Sequence, residues 1–314
     1  MDISRAKINE LDQWLNQKAR IEKIDLTPWH LPERHIHILR EDELLVQASG
    51  NKLRKLLPNL REAARAGIKR IVTFGGAYSN HIAATAAAGQ KFGFETIGLI
   101  RGEELASNVK LNPTLQKAAD CGMQLVFIAR TEYRRRLEQE YLATLHTRFG
   151  PCTIIPEGGS NDLAIQGVAH MVKLLPKQFK LLCTPIGTGG TMAGLLSGAN
   201  QTKEVWGFSA LKGIDFDGQL TNFGQGVSRW IFNDYHFGGY AKANNELIEF
   251  INNFKAQTKI PLDPIYTGKM MYGLLDLLKK DPKIKDDEIL VVHTAGLQGI
   301  KGFNAANRGL INIL

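Results

Sequence analysis

Short β-rich runs that break at a glycine turn and give way to a helical stretch recur along most of this chain. That alternation constrains the fold more than any other feature. Residues 71–74 lead into Gly75-Gly76 and an alanine-rich helix over 80–92 that stops at Gly93. The pattern returns with strands over 96–100, 124–128, 153–156, 180–186, 205–209 and 288–293, and with helices over 113–121 and 163–175. Strand, glycine turn and helix repeated this often predict an α/β fold, with mostly parallel sheets flanked by helices. In such sheets ligands sit beyond the carboxyl ends of the strands, where the glycine turns are. The chain has no fixed-period repeat and no low-complexity linker, so a second domain is expected to be interleaved with the first.

At 314 residues the chain is long enough for about two domains, at roughly 150 residues each. With 44% hydrophobic and 22% charged residues, disorder is excluded. Cys121, Cys152 and Cys183 form no CxxC pair, which argues against a disulfide scaffold or a thiolate metal site and for reduced core thiols. No metal is expected. The longest small apolar run, 82–89, is far short of the ~20 residues a membrane span needs. Residues 1–23 carry charges throughout and no apolar export core. The expected address is the cytoplasm, with no membrane partner.

The net charge of +8 raises the question of nucleic acid. No zinc-finger, RNP or basic-zipper pattern supports it. The densest basic run, Arg134-Arg135-Arg136, is flanked by acids and reads as a solvated, salt-bridged helix face. An anionic small ligand or simple solubility accounts for the excess, and no nucleic-acid partner is expected.

Gly187-Thr188-Gly189-Gly190-Thr191 follows a strand and opens a helix. Glycines there let backbone N–H groups approach a ligand, and the helix dipole adds partial positive charge. A phosphate suits this turn, although a ligand-free βα connection has the same look. The spacing is neither GxGxxG nor a Walker motif, which disfavours a dinucleotide or ATP. Gly75-Gly76-Ala77-Tyr78-Ser79-Asn80-His81 is a second such turn. Ser79 and Asn80 stand where a helix N-cap is expected, and the amides behind them suit a substrate carboxylate. Lys52 lies beside Arg54 and Lys55. Burial or like charge would lower its pKa and make it nucleophilic, whereas a lysine in a basic run is ordinarily solvated.

Taken in order, Gly50-Asn51-Lys52-Leu53-Arg54-Lys55-Leu56, Gly75-Gly76 with Ser79-Asn80-His81, Gly158-Gly159-Ser160-Asn161, Gly187 to Gly194, Tyr266-Thr267-Gly268-Lys269 and His293-Thr294-Ala295-Gly296 form a recognisable set. The set resembles the pyridoxal 5'-phosphate (PLP) enzymes of the 1-aminocyclopropane-1-carboxylate (ACC) deaminase and D-cysteine desulfhydrase family, the tryptophan-synthase-β-like fold type II. The resemblance runs from about Arg40 to Gly299. It implies a two-domain PLP fold of type II. Residues 1–55 and 158–314 would form the larger domain, and 56–157 a smaller inserted one closing over the active site. It implies a Schiff base at Lys52 and a hydrogen bond from Asn80 to the ring's 3′-oxygen. Gly187, Thr188, Gly189, Gly190 and Thr191 would hold the phosphate, and Thr294 would face the pyridine nitrogen. Ser79, Asn80 and His81 would receive the substrate carboxylate through the helix N-terminus, with Tyr240 and Tyr266 beside the substrate, and Ser79 would join Lys52 and Tyr266 as a catalytic residue. A homodimer and a small amino-acid substrate are implied as well.

Three positions depart from the family pattern. Ala295 stands where glycine is usual, Val168 stands where tyrosine usually follows Gly167, and residues 107–113 lack the usual Gly-Asn-x-Leu-Leu. Each is expected to reshape the pocket. ACC deaminases carry glutamate where this chain has Thr267, and a hydroxyl there implies a weaker electron sink. That, with His81 after Ser79-Asn80, points to α,β-elimination from D-cysteine: Lys52 takes the Cα proton, Tyr266 assists the leaving group, and 2-oxo acid, ammonia and sulfide are released. ACC deamination is the alternative, and a PLP-fold metabolite-binding protein without turnover is a third reading. The expected class is lyase, deaminase or hydrolase.

Overall fold

The computed structural model describes residue 15 and residues 19–44, 51–107 and 112–314. Gly50 and most of the departure at 107–113 lie outside the described residues, as does most of the 1–23 segment. Strands β1 (Ile21–Asp25) and β2 (His35–Leu39) come first, then helix α1 (Lys52–Arg65). Four strands follow, β3 (Arg70–Gly75), β4 (Glu95–Arg101), β5 (Gln124–Ile128) and β6 (Thr153–Ile155). Between them lie α2 (Asn80–Phe92), α3 (Pro113–Asp120), α4 (Arg130–Arg134) and α5 (Gln139–Phe149). These strands make one wholly parallel sheet in the order β5-β4-β3-β6.

The chain continues through α6 (Asp162–Lys173), β7 (Leu181–Ile186), α7 (Gly190–Gly198), β8 (Glu204–Ser209), α8 (Phe216–Leu220) and β9 (Ser228–Phe232). It ends with α9 (Asn245–Thr258), α10 (Thr267–Lys280), β10 (Ile289–Val292) and α11 (Ile300–Ala306). A six-stranded sheet runs β1-β2-β10-β7-β8-β9, antiparallel at β1–β2 and parallel elsewhere. The expected α/β architecture is thus present, in two sheets. The seven strands read from sequence match β3 to β8 and β10 to within a residue at each end, while β1, β2 and β9 were not anticipated.

Local chemistry explains the elements that carry the site. Ser79 Oγ accepts from Ile82 N (3.3 Å) and starts α2, and Gly93 ends it in the left-handed region (φ 76°). The alanines of α2 are buried on nearly every face, which a helix of small residues permits between other layers. Gly194 of α7 has no room for a Cβ beside the Val168 side chain of α6, and Gly198 meets Ala169 and Val172, so the two helices touch backbone to side chain. Val168 is therefore a core residue (1% exposed) packed with Met192 and Leu196. Its expected effect on the pocket is corrected: it fills a helix–helix contact. Below the large sheet, Leu247, Ile251 and Phe254 of α9 and Leu274 and Leu278 of α10 pack against Ile36, Ile38 and Val291. Burial of each such side chain contributes about 1.5–3 kcal/mol before conformational entropy is set against it. This anchors α10, whose first turn faces the site.

Candidate active site

The carboxyl ends of β3 and β7, the head of α1 and the turn before α10 converge on a cavity of about 490 Å³. Lys52, Ser79, Asn80, His81, Gly187, Thr188, Gly189, Gly190, Thr191, Tyr240, Tyr266 and Thr294 all line it, so every site residue named from the sequence is brought to one place.

Lys52 is the first residue of α1, and its ammonium reaches Asn51 Oδ1 (3.4 Å). Asn51 in turn donates to Thr191 Oγ1 (2.6 Å) in the β7–α7 turn. Burial pulls the Lys52 pKa down to about 8, against an opposing pull from Asp263. Arg54 contributes nothing to that shift. It turns away to a fully buried bidentate pair with Glu41 (2.8–2.9 Å) and pins α1 to the end of β2.

Lys55, one turn on, was not singled out as a site residue. Its side chain is fully buried, and Nζ donates to Gly158 O (3.1 Å) and Ser160 Oγ (3.4 Å). No carboxylate pairs with it among the described residues, and burial, then Lys52, holds its pKa well below the usual lysine range. A Cβ at Gly190 would lie 2.6 Å from Ser160 Oγ and 2.8 Å from Lys55 Nζ. Ser160 Oγ also lies 2.7 Å from Thr188 Oγ1. Gly189 adopts φ 80°, as an N-cap glycine free to turn left-handed, and opens α7. Backbone amides at a helix start, two hydroxyls and an uncompensated buried ammonium form a donor set made for a multiply charged oxyanion, and a phosphate fits it. A periodic sequence gives no hint of Lys55, because its anion-facing role is created by the distant Gly158–Ser160 turn and Gly190.

At the other end, Tyr266 lies over Gly187, where a Cβ would come within 2.9 Å of its ring. Its ring meets that of Tyr240 edge-on, with centroids 6.3 Å apart, and burial raises the pKa of both phenols. Asn80 Oδ1 accepts from Gln298 Nε2 (2.7 Å), a second residue missed by the motif reading. Arg101, Arg136 and Glu157 complete the wall, with Arg136 paired to Glu157 (2.8 Å). The basic run at 134–136 is therefore only partly a solvated face: Arg135 pairs with Glu138 outside, but Arg136 faces the cavity.

One further expectation is refined and one changes. His81 keeps its expected place in the helix N-terminus, and its side chain turns to Thr73. Thr73 Oγ1 donates to Ile155 O (2.7 Å), which leaves it to accept from His81 Nε2 (2.7 Å). Burial, then the charges of Lys52 and Lys55, lowers the His81 pKa to about 3, so the ring is neutral. Only its backbone stands in the helix N-terminus. Thr267 is fully buried and does not line the cavity. Its hydroxyl donates to Asp263 Oδ1 (2.7 Å) and caps the turn that starts α10. Its hydroxyl is thus already spoken for, and the carboxylate nearest this region is Asp263, whose Cγ lies 3.2 Å from where a Cβ of Gly296 would stand. Ala295, in place of the usual glycine, takes φ 60° and is wholly buried.

The family profile described as "Pyridoxal-phosphate dependent enzyme" matches residues 27–295. The chain belongs to that family. Within it the chain falls among the ACC deaminase and D-cysteine desulfhydrase enzymes, which are PLP-dependent. It is 30% identical over 303 residues to the bifunctional D-cysteine desulfhydrase/1-aminocyclopropane-1-carboxylate deaminase of Arabidopsis thaliana, a mitochondrial protein, covering 87% of this chain and 76% of that one. It is 30% identical over 312 residues to a Pyrococcus horikoshii protein provisionally named 1-aminocyclopropane-1-carboxylate deaminase, covering 90% and 94%. The crystal structure of an ACC deaminase homologue superposes with a TM-score of 0.79 at 24% identity, covering 93% of each chain, and that likeness establishes fold type II. The expectation of a hydrolase is dropped, because the family's enzymes are lyases and deaminases. No helix among the described residues is long and apolar enough to cross a membrane.

Proposed function

We propose that this PLP-dependent enzyme eliminates the β-substituent of a small amino acid, with D-cysteine the favoured substrate, releasing a 2-oxo acid, ammonia and sulfide. The observation that carries the reading is the Lys52 amine. It is desolvated to a pKa of about 8 and stands between a phosphate-shaped donor set and a pair of neutral phenols. Bound PLP would supply the electron sink that makes the Cα proton removable. Lys52 would hold the cofactor covalently and, once displaced by the amino acid, act as general base at Cα. Gly187 to Thr191, with Lys55, would hold the phosphate. Asn80 would bond the ring's 3′-oxygen, steadied by Gln298, and Thr294 would face the ring nitrogen. The first-turn amides of α2 behind Ser79 would take the α-carboxylate. Tyr266, protonated and backed by Tyr240, would give its proton to the leaving thiolate.

The 56–157 segment would be a smaller domain that closes over the site, consistent with the four strands of the second sheet all falling between Arg70 and Ile155. We place the enzyme in the cytoplasm as a homodimer. ACC deamination is the second reading, and one observation favours it: Asp263 brings a carboxylate near the position that glutamate occupies in deaminases.

The test is reduction of the PLP-loaded protein with borohydride followed by peptide mapping. The pyridoxyl group is expected on Lys52. Its recovery on Lys55 or another lysine overturns the assignment.

A further inference from the structure

Lys269 closes the Tyr-Thr-Gly-Lys motif, yet nothing described so far uses it. Its side chain is among the most deeply buried in the protein, at 1% exposure. It sits in the first turn of α10, where a cation opposes the helix dipole. No carboxylate pairs with it among the described residues, and burial pulls its pKa down to about 8 while Asp263 pulls it back up. A buried ammonium costs several kcal/mol unless its donors are satisfied. Two of the three on Lys269 are: Nζ donates to His236 O (2.8 Å) and Gly239 O (2.8 Å).

The loop supplying these carbonyls is itself conformationally expensive. Phe237 (φ 50°), Gly238 (φ 93°), Gly239 (φ 110°) and Ala241 (φ 56°) all lie at positive φ, and two of them are not glycine. Left-handed conformation costs a non-glycine residue about 1–2 kcal/mol. The loop's own bonds are local: Gly238 N to His236 Nδ1 (2.9 Å), Gly239 N to His236 O (3.0 Å) and Lys242 N to Gly239 O (3.2 Å). Between Gly239 and Ala241 stands Tyr240, which is 46% exposed and reaches Tyr266 across the cavity mouth.

We propose that Lys269 is a positioning residue: its ammonium gathers two carbonyls of the 236–241 loop and so holds Tyr240 against Tyr266, the residue three places before Lys269. One helix start would then set both phenols of the proton-donating pair, Tyr266 directly and Tyr240 through Lys269. The proposal rests on the reading of that pair as serving the substrate.

The test uses Lys269→Met, which keeps the stem and removes the charge and the donors. In the apoprotein, amide hydrogen exchange at Gly238, Gly239 and Lys242 is expected to quicken by about tenfold or more while the global melt stays cooperative. In the PLP-loaded enzyme, turnover of D-cysteine should fall by about tenfold or more. The same change made in a Tyr240→Phe background should cost less than about twofold, because two residues acting as one unit are not additive. Ethylammonium should restore part of the activity of Lys269→Ala. If Lys269→Met does not fold, Lys269→Gln, which removes the charge and keeps two of the three N–H donors, gives a milder form of the same comparison. Unchanged exchange in the loop, or fully additive losses, overturns the proposal. If the unmodified enzyme turns over no amino acid, the reading of the site fails, and the exchange measurement still decides for or against Lys269.

Discussion

His81 shows how far a motif residue's role depends on where its side chain points. Its ring is tied to Thr73 and kept neutral, with a folded pKa of about 3 against an ordinary 6.5. The unfolded chain therefore binds a proton between those values that the native state refuses. Stability from this group is complete above about pH 6.5 and declines as pH falls toward 3. His81→Gln is expected to flatten that part of the melting temperature against pH curve, with a gap of a few kcal/mol closing toward pH 3. An acid limb of unchanged slope in the variant would show that His81 does not titrate this way. The residues legible in the sequence, Lys52, Asn80 and Gly187 to Thr191, were those whose local motif dictates their geometry. Lys55, Gln298 and Lys269 were not legible as site residues, because each acquires its place from partners between 30 and more than 200 residues away. Thr267 misled for the converse reason: its motif neighbour Tyr266 lines the cavity, but Thr267 itself is buried with its hydroxyl bonded to Asp263.

Among elements, the βαβ units were readable because each glycine turn coincides with a strand end. Strands β1, β2 and β9 were not. β1 reads IEKID, β2 reads HIHIL and β9 reads SRWIF, each broken by charged or polar residues in place of a continuous apolar run. Helix α1 begins at Lys52, and the Arg54–Glu41 pair fixes it there. Glu41→Gln leaves a buried guanidinium without its counter-charge and is expected to cost about 3–5 kcal/mol by denaturant unfolding. A loss under about 1 kcal/mol would mean that α1 is held by packing alone. At the other wall of the site, Gly190→Ala forces a methyl group toward Ser160 Oγ and Lys55 Nζ. PLP affinity is expected to drop by about tenfold or more, read by equilibrium titration of the cofactor absorption band. At Gly189 an added Cβ would meet only ordinary contacts with Phe216 (3.9 Å) and Leu220 (4.0 Å), so Gly189→Val acts through the positive φ and should weaken the fold locally by about 1–2 kcal/mol and affect affinity less. Equal affinities for Gly190→Ala and the unmodified protein would remove the cradle from the account.

At the scale of the molecule, two mostly parallel sheets place their carboxyl-terminal turns around one cavity, and the chemistry enters only where those turns meet. The general fold needed only the alternation of strands, glycines and helices. The substrate needs more, since in the proposed reaction elimination depends on Tyr240 and Tyr266 acting together, with the Asp263 carboxylate close by. The most direct measurement is therefore product release by the PLP-loaded enzyme given D-cysteine, L-cysteine and ACC side by side. Sulfide, ammonia and a 2-oxo acid are expected in equal amounts from D-cysteine. That release should be abolished in Lys52→Ala at an unchanged melting temperature in the apo form. Rapid ammonia release from ACC with none from D-cysteine would contradict the proposed elimination.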